Sequence, residues 1–333
     1  MAKKYKPKKA KEDTPQMLKR KAKNLAIGIF VGSLIAGLCF TMLYPIFKLF
    51  PNVTSDLTEL GNPDVIWIPI ERSLLSFEAA WKFIMKKGAM TMVYSLLYAV
   101  AIVALQAFIS AMVGYALARI NFPGANIIFV LVLLAFLVPP QALLLSQYIH
   151  FKNFDILGII TWLTGDTIDL INKPITLFIL AFFGFGVNQS LFVFVFRQFF
   201  KNTPKELEEA ALIDGCGFHK TYFHIMLPNA KPAIATVAVL GFVWNYGDTY
   251  YTGYFHPDGP YLSSILTTTF QSANRDFIKA AMQEWYNLPM ASDFVFDAVK
   301  QAGALIYMAP LLIVYFIAQK WLVENIENAG IVG

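Results

Sequence analysis

The stretch of this chain whose residue types and spacing favour a specific chemistry is a polar island between two hydrophobic segments. It contains Glu209-Ala210-Ala211, then Gly215, and after nine further residues Ile225-Met226-Leu227-Pro228. The two alanines lie on adjacent faces of a helix and have almost no side chain, so the helix can sink into a groove on another protein. Glu209 and its charged neighbours would then meet charges at the rim of that groove. The chemistry indicated is protein recognition.

The residues around this island predict two short helices joined by a sharp turn. Thr203 can accept a hydrogen bond from the Glu206 amide, so a helix is expected from about Pro204 to Ile213. Gly215 permits a left-handed turn that a residue with a Cβ enters at a cost of about 1–2 kcal/mol. A second helix is expected from about Phe218 to Met226, with prolines at positions 228 and 232 ending it and its aromatic residues along the membrane interface.

The composition places these helices in a membrane protein. Of 333 residues, 57% are hydrophobic and only 15% are charged, which is typical of a polytopic membrane protein rather than of a soluble one. The two cysteines, Cys39 and Cys216, lie in different settings, and we interpret both as packing residues without a disulfide or a metal site. The sequence has no Gly-x-x-x-x-Gly-Lys-Ser/Thr loop, so the chain is not expected to be an ATPase.

A membrane span needs roughly 20 apolar residues to cross about 30 Å of hydrocarbon. Six stretches meet or approach this length. They are Leu25–Phe47, Thr91–Leu117, Ile127–Leu145, Ile175–Phe196, Ala233–Val243 extended through Tyr251, and Ala302–Ala318. The predicted fold class is therefore all-α, a polytopic membrane protein with six transmembrane helices.

Lysine and arginine are distributed unevenly about these spans. Ten of them lie between Lys3 and Lys23, before the first span, and no convincing small-x-small cleavage site follows, so we expect a retained anchor. Arg119, Arg197 and Lys205 fall on the same side of the membrane as this basic arm. The asymmetry predicts that both termini and the polar island are cytoplasmic. We interpret the arm as an orientation signal or a contact for anionic membrane lipid, and not as a nucleic-acid tail.

The polar island resembles the coupling loop through which the membrane subunit of a binding-protein-dependent ABC importer docks onto its ATPase. Two further segments are similar to sugar permeases of the maltose-transporter type, namely Gly114-Tyr115-Ala116-Leu117-Ala118-Arg119 and Pro139-Pro140-Gln141. Asp214-Gly215 is the sugar-type variant of the loop. The resemblance covers about residues 90–270, whereas the tail at 328–333 keeps the glycines of the family's ending and lacks its lysine.

The resemblance implies a type I importer permease with a cytoplasmic coupling helix in a bacterial inner membrane. Its implied partners are an ABC ATPase dimer, a second permease subunit forming a heterodimer, and an extracytoplasmic sugar-binding protein. ATP and Mg would be bound by the partner ATPase, with no cofactor on this chain. The ATPase-coupling residues implied are Glu206, Glu209, Ala210, Ala211, Asp214, Gly215, Ile225, Leu227 and Pro228.

Polar residues inside spans are costly, so they are candidates for a substrate pathway. Such residues, together with neighbouring aromatic side chains, interrupt the fourth and fifth spans and offer the planar hydrogen bonds and ring faces that bind sugars. They are Asn188, Gln189, Trp244, Asn245, Asp248 and Tyr250. The alternative is that they make hydrogen bonds between helices, and the maltose-type resemblance also allows the sugar site to lie wholly in the partner subunit.

Two amphipathic segments are expected on the extracellular side. Apolar residues at 77, 80, 81, 84 and 85 share a helical face and predict a helix lying in the membrane interface. Between the last two spans, Ser272 is predicted to cap a helix that carries Phe277 and Trp285 on one face and ends at Pro289. Phe277 and Trp285 are expected either to pack within the permease or to contact the binding protein.

These assignments predict four regions. They are a basic cytoplasmic arm (1–24), a first transmembrane helix with an extracellular segment and interfacial helix (25–90), a permease core of five transmembrane helices with coupling loop 197–231 and extracellular loop 253–301 (91–320), and a cytoplasmic tail (321–333). The predicted function is ATP-driven import of a carbohydrate, such as an oligosaccharide, by alternating access. The alternatives are a permease of this machinery for a polyamine or an anion, or a stand-alone secondary carrier.

Overall fold

The computed structural model describes residues 15–63, 67–86, 90–288 and 290–330. Most of the predicted basic arm, the predicted helix end at Pro289 and the last three residues lie outside them. The described part is helical and contains no strand, in agreement with the predicted fold class. Its helices are α1 (Pro15–Thr54), α2 (Leu75–Met85), α3 (Thr91–Arg119), α4 (Ala125–Leu137), α5 (Pro140–Lys152), α6 (Ile159–Thr164), α7 (Pro174–Phe182), α8 (Gln189–Asn202), α9 (Glu206–Ile213), α10 (Phe218–Thr221), α11 (Leu227–Asn229), α12 (Lys231–Tyr246), α13 (Tyr251–Phe255), α14 (Leu262–Thr269), α15 (Arg275–Tyr286) and α16 (Asp293–Gly330).

The chain divides into two units, 1–75 and 76–333. In the first, α1 is a single helix of 40 residues and about 60 Å, much longer than a bilayer core is thick. The apolar residues of its central stretch, from Leu25 to Tyr44, are exposed, as expected of a helix surrounded by lipid, whereas Val53 near its end is buried. Trp67 packs edge-on against Tyr44, with ring centroids 5.8 Å apart, and lies under the ammonium of Lys48. The predicted interfacial helix corresponds to α2 and falls almost wholly in the second unit.

Helix α3 is the centre of the second unit and packs against α7, α8 and α12. Its closest approach to α8 is at Gly114, where an added Cβ would lie 2.7 Å from Phe196 Cβ and 2.9 Å from the Arg197 backbone nitrogen. Such distances leave no room for a side chain. Phe192, Phe196 and Phe200 on α8 fill the adjoining core and are fully buried.

The described residues contain three helices that are long and apolar enough to span a membrane, α1, α3 and α16, or five spans if each bent helix pair counts as one. The predicted count of six is therefore not reproduced. The predicted fourth span, 175–196, is divided into α7 and α8 because the chain leaves helical geometry between them. Gly184 and Asn188 both have positive φ there, at 86° and 51°, and such residues end a helix.

Two helix pairs are bent, and proline explains the first of them. Helices α4 and α5 meet at 98° around Pro139 and Pro140, because proline lacks the N–H of the helical ladder and restricts the residue before it. The helical run from Phe218 through a π-helical turn at Tyr222–Met226 continues to Asn229 and bends by 71° at Ala230. Pro228 does not end this run as predicted: the run continues through Pro228 to Asn229 and bends only at Ala230.

The last helix begins earlier than predicted. We expected an extracellular loop from 253 to 301, but α16 starts at Asp293. Lys279 Nζ lies 3.0 Å and Arg275 Nη1 3.3 Å from the Asp293 carboxylate, so α15 holds the first turn of α16 in place. These contacts join residues 14 and 18 positions apart. They therefore produce no hydrophobic periodicity from which the start of α16 could be predicted.

Candidate functional site

The first helix of the predicted docking loop is α9, which begins at Glu206 without a side-chain cap. The predicted cap by Thr203 is wrong. Thr203 Oγ1 donates to Phe199 O at 2.9 Å, and the residue ends α8 with an extended backbone. A threonine hydroxyl can donate to a carbonyl of the preceding helical turn or accept an amide of the following one. Here it donates to the last turn of α8, so it does not cap α9.

The turn after α9 has the predicted geometry. Gly215 has a φ of 78°, which L-residues rarely adopt. The Cys216 amide donates to Ala211 O at 2.9 Å, and the Gly215 amide donates to Leu212 O at 3.1 Å. These two bonds cap the C-terminal end of α9 by satisfying carbonyls of its last turn. The space around Gly215 is open. The requirement for glycine therefore comes from the backbone and not from crowding.

The accessible surface of α9 divides the predicted coupling residues. Ala211 is only 2% exposed and faces the interior of its own chain, whereas Ala210 is open to a partner. Leu212 and Ile213 are 60% and 85% exposed beside the turn. The remaining predicted positions on this arm, Glu206, Glu209, Asp214 and Gly215, are all exposed.

The second arm of the predicted docking loop runs from α10 through the π-helical turn into α11. Tyr222 and Met226 are buried, and the Tyr222 ring lies 4.9 Å from the ring of Tyr115 on α3. The aromatic residues predicted to lie along the membrane interface therefore partly serve to anchor this arm. Among the predicted coupling residues here, Ile225 and Leu227 are half-buried and Pro228 is exposed.

Arg119, at the end of α3, fastens α9 to the transmembrane core. Its Nε lies 3.7 Å from Glu208 Oε2, and its Nη2 donates to the Thr203 carbonyl. The two side chains are only 6% and 19% exposed. From the sequence, Arg119 was part of a motif and a basic residue of the predicted cytoplasmic side, and Glu208 was one of the charged neighbours of Glu209; their pairing was not predicted. The exposed face of α9 is thus backed by a largely buried ion pair.

A second group of polar residues lies inside the helical core. Asn245 Nδ2 on α12 donates to Gln106 Oε1 on α3 at 2.9 Å and to Gly241 O at 2.8 Å. Gln189 Oε1, at the start of α8, accepts the Gly186 amide at 3.1 Å. Gln106, Gln189 and Asn245 are at most 2% exposed, and we call them the amide cluster. Among the described atoms, Nε2 of Gln106 and Nε2 of Gln189 have no hydrogen-bond partner.

Gly186 makes room for the amide cluster, since a Cβ there would lie 2.1 Å from Gln106 Nε2. Sequence reasoning named Gln189 and Asn245 but missed Gln106, although a glutamine in the middle of an apolar span was an available signal. Asn188 directly precedes α8 in a left-handed conformation, and Trp244 stacks on Phe192 with ring centroids 5.7 Å apart.

Asp248 makes hydrogen bonds to residues close to it in the sequence. Its carboxylate accepts backbone N–H groups from Tyr250 at 3.2 Å and from Thr252 at 2.8 Å, which satisfies the first turn of α13. Its carbonyl oxygen also accepts the hydroxyls of Thr252 and Ser263. Tyr250 is half-buried beside Tyr254, with ring centroids 5.1 Å apart.

The two aromatic residues predicted to share a face of the extracellular helix lie on α15. The predicted cap by Ser272 is wrong, because Ser272 begins a 3-10 turn and α15 starts at Arg275. Phe277 and Trp285 are 54% and 38% exposed. Both contact Phe83 of α2, with centroid distances of 6.4 and 4.8 Å. The side that is buried instead consists of Ile278, Ala281 and Met282.

These features lie within a recognised protein family. A family model described as the binding-protein-dependent transport system inner membrane component matches residues 106–328, which include helices α9 to α11 and the amide cluster. AmyC of Thermoanaerobacterium thermosulfurigenes, described as a permease protein of a starch degradation products transport system, is 30% identical over 66% of this chain and 67% of its own. The arabinooligosaccharides transport system permease protein AraQ of Bacillus subtilis is 25% identical over 87% and 91%.

A solved structure has the same fold. It is a chain of the crystal structure of a bacterial ABC transporter involved in the import of the acidic polysaccharide alginate, with a TM-score of 0.65 and 19% sequence identity. The match covers 90% of this chain and 97% of that chain. At this identity the likeness concerns the fold. Because the family model matches well over half of the sequence, the chain belongs to the family of binding-protein-dependent transport system inner membrane components.

Proposed function

We propose that this chain is the membrane-spanning subunit of an ATP-driven importer for a carbohydrate delivered by an extracytoplasmic binding protein. The observation that carries the proposal is the family match across residues 106–328, which includes an exposed helix–turn–helix of the predicted spacing. The relatives described above are named as permease proteins of transport systems for starch degradation products and for arabinooligosaccharides, which favours an oligosaccharide over a polyamine or an inorganic anion. Energy is supplied by a separate ATPase.

The exposed face of α9 is the proposed ATPase contact. Ala210 allows close approach, Glu209 supplies a charged contact, and Leu212 and Ile213 offer apolar surface beside the turn. Closure of the ATPase dimer on ATP would move α9 and the second arm as a lever. Because Arg119 joins α9 to α3, this movement would reach the transmembrane core and convert an inward-facing cavity to an outward-facing one.

The amide cluster is the proposed polar element of the substrate pathway. Two buried amide NH2 groups without a partner are costly, at about 1–3 kcal/mol each, and carbohydrate hydroxyls would satisfy them once the cavity opens. Gln189→Leu should then raise the KM for uptake while leaving co-purification of the ATPase unchanged. An unchanged KM would assign the cluster to packing between helices.

The proposed outer partners are a second permease subunit, forming a heterodimer, and the binding protein. Trp285 and Phe277 remain candidates for the binding-protein contact because they are accessible beside Phe83. Trp285→Ala should reduce the stimulation of ATP hydrolysis by sugar-loaded binding protein with the complex still assembled. If stimulation is not reduced, Trp285 does not contact the binding protein and its role is to pack against α2.

Transport itself is tested in cells that lack this chain and in cells complemented with it. Uptake of a labelled oligosaccharide should require the chain, should stop when ATP is depleted, and should persist when the proton gradient is dissipated and ATP is maintained. Uptake that follows the proton gradient would favour a secondary carrier. If the cells take up a polyamine or an anion and no oligosaccharide, the chain is still a subunit of an ATP-driven importer, but its substrate is not a carbohydrate.

A further inference from the structure

A polar cavity of about 670 Å³ lies between the end of α3, the start of α4 and the last turns of α8. Its basic lining residues are Arg197 and Lys201, which are four residues apart and therefore on the same face of α8. Asn121 and Asn126 add amide groups to the lining. Arg197 and Lys201 lie in the first turns of the predicted loop 197–231, but none of these residues is among the predicted ATPase-coupling residues or in the amide cluster.

Arg197 is a buried cation without a counter-ion in the described part of the chain. It is 7% exposed, and none of the ion pairs among the described residues includes it. Its Nε donates to Leu117 O and its Nη2 to Asn126 Oδ1, both at 3.4 Å, while the guanidinium lies 3.7 Å from the centre of the Phe129 ring. These contacts use two of its five N–H donors and neutralise no charge.

The N-terminal end of α4 borders the same cavity. Ile128 makes the first helical hydrogen bond of α4, to Gly124 O at 2.9 Å, so the amides of Asn126 and Ile127 precede the helical ladder. The N-terminal end of a helix also carries partial positive charge. Together with Arg197 and Lys201, these amides favour an anionic group with several acceptor oxygens, and phosphate has that chemistry.

The surroundings of the cavity favour a phosphate that carries acyl chains. Ile127 lines the cavity and is 68% exposed, and Val130, Leu131 and Leu134 on the following turns of α4 are 52%, 57% and 51% exposed. An exposed apolar helix thus leads directly away from a basic, polar cavity. An amphipathic anion would place its headgroup in the cavity and its chains along α4.

We propose that this cavity binds the phosphate headgroup of an anionic phospholipid at the membrane face that carries the docking helices. A basic cavity between transmembrane helices is suited to this ligand class. The bound lipid would provide the charge that Arg197 lacks and would hold the start of α4 against the ends of α3 and α8. The inference concerns lipid binding and does not depend on which solute is transported.

The test is native mass spectrometry of the detergent-purified full-length chain, with any subunits that co-purify, titrated with phosphatidylglycerol. Lys201→Gln removes an exposed charge from the cavity, and Arg197→Gln and Arg197→Lys test the buried one. Lys320→Gln is the matched control, because Lys320 is exposed and does not line the cavity. We expect Lys201→Gln and Arg197→Gln each to weaken phosphatidylglycerol binding by about fivefold, with Lys320→Gln unchanged.

Further arms identify the source of the phosphate. Phosphatidylcholine should bind more weakly than phosphatidylglycerol, and millimolar inorganic phosphate should not displace the lipid. Displacement by phosphate that is itself weakened in Lys201→Gln would support the site with free phosphate as its ligand. Equal phosphatidylglycerol binding by wild type and Lys201→Gln, or an equal loss in Lys320→Gln, would overturn the proposal. Lys201 is exposed, so this comparison does not rely on a variant that disturbs the core.

Discussion

At the scale of single residues, two glycines have different physical roles. Gly215 lies in open space and is required for its positive φ, whereas Gly114 has an ordinary helical backbone and is required for the space between α3 and α8. The first controls a surface turn that presents α9 to a partner. The second controls how closely two helices of the core approach each other. Substitution of Gly215 should therefore affect assembly with the ATPase, and substitution of Gly114 should affect the stability of the core.

Gly215→Ala should weaken assembly with the ATPase while membrane insertion stays normal. The added methyl meets no neighbour, but the left-handed backbone becomes less favourable by about 1–2 kcal/mol. The measurement is the amount of ATPase that co-purifies with the detergent-extracted chain. Gly217→Ala is the matched control, because Gly217 is equally open and has a φ of −72°. Equal losses in the two variants would contradict the role given to the Gly215 backbone.

Gly114→Ala should destabilise the transmembrane core. Its methyl would lie 2.9 Å from the Arg197 backbone nitrogen, so α3 and α8 must separate, at a cost of about 1–3 kcal/mol. The thermal unfolding midpoint in detergent should fall. Gly253→Ala, with nothing within 4 Å of the added methyl, should leave that midpoint nearly unchanged. A Gly114 variant as stable as wild type would mean that the two helices do not approach as closely as described.

At the scale of elements, α9 is attached to α3 through the ion pair of Arg119 and Glu208, and Arg119 also donates to the Thr203 carbonyl at the end of α8. The second arm is attached by the buried rings of Tyr222 and Tyr115. Two short surface helices thus become extensions of long transmembrane helices. A force applied to α9 is expected to reach the membrane through these contacts and not only through the connecting chain.

Arg119→Gln and Glu208→Gln should each lower uptake, because each leaves a largely buried charge without its partner. In a double-mutant cycle the combined loss should be smaller than the sum, with a coupling of about 0.5–3 kcal/mol in the co-purification equilibrium. The exposed pair Lys82–Glu78 is the control, since its side chains are 45% and 52% exposed. Its cycle should give well under 1 kcal/mol. Simple additivity at Arg119 and Glu208 would contradict the proposed fastening.

At the scale of the whole molecule, the unequal distribution of basic residues predicts the orientation in the membrane. The docking arms must be cytoplasmic to meet an ATPase, and α15 must then lie on the opposite side. The residues Asn52, Ser272 and Lys205 are all exposed and sample both predicted sides. An accessibility experiment on the intact cell can therefore test the orientation of the entire chain.

Single cysteines should report this orientation in a variant that lacks Cys39 and Cys216. Asn52→Cys and Ser272→Cys should react with an impermeant thiol reagent added to intact cells. Lys205→Cys should react only after the membrane is opened, which also shows that its thiol is reactive. Reaction of Lys205→Cys in intact cells would reverse the orientation and remove the proposed ATPase contact.

Local chemistry in the sequence determined the helical class, the long apolar helices α1, α3 and α16, the helix of the first docking arm and the turn at Gly215. Each depends on neighbouring residues, whose hydropathy, size or backbone freedom is visible without a partner. Contacts between distant residues decided the rest. Thr203 bonds back to Phe199, Ala211 turns inward, and Gln106 meets Asn245 across two helices. Such contacts depend on how the helices pack. Each side chain has several possible partners, and the spacing of residues along the chain does not determine which of them it contacts.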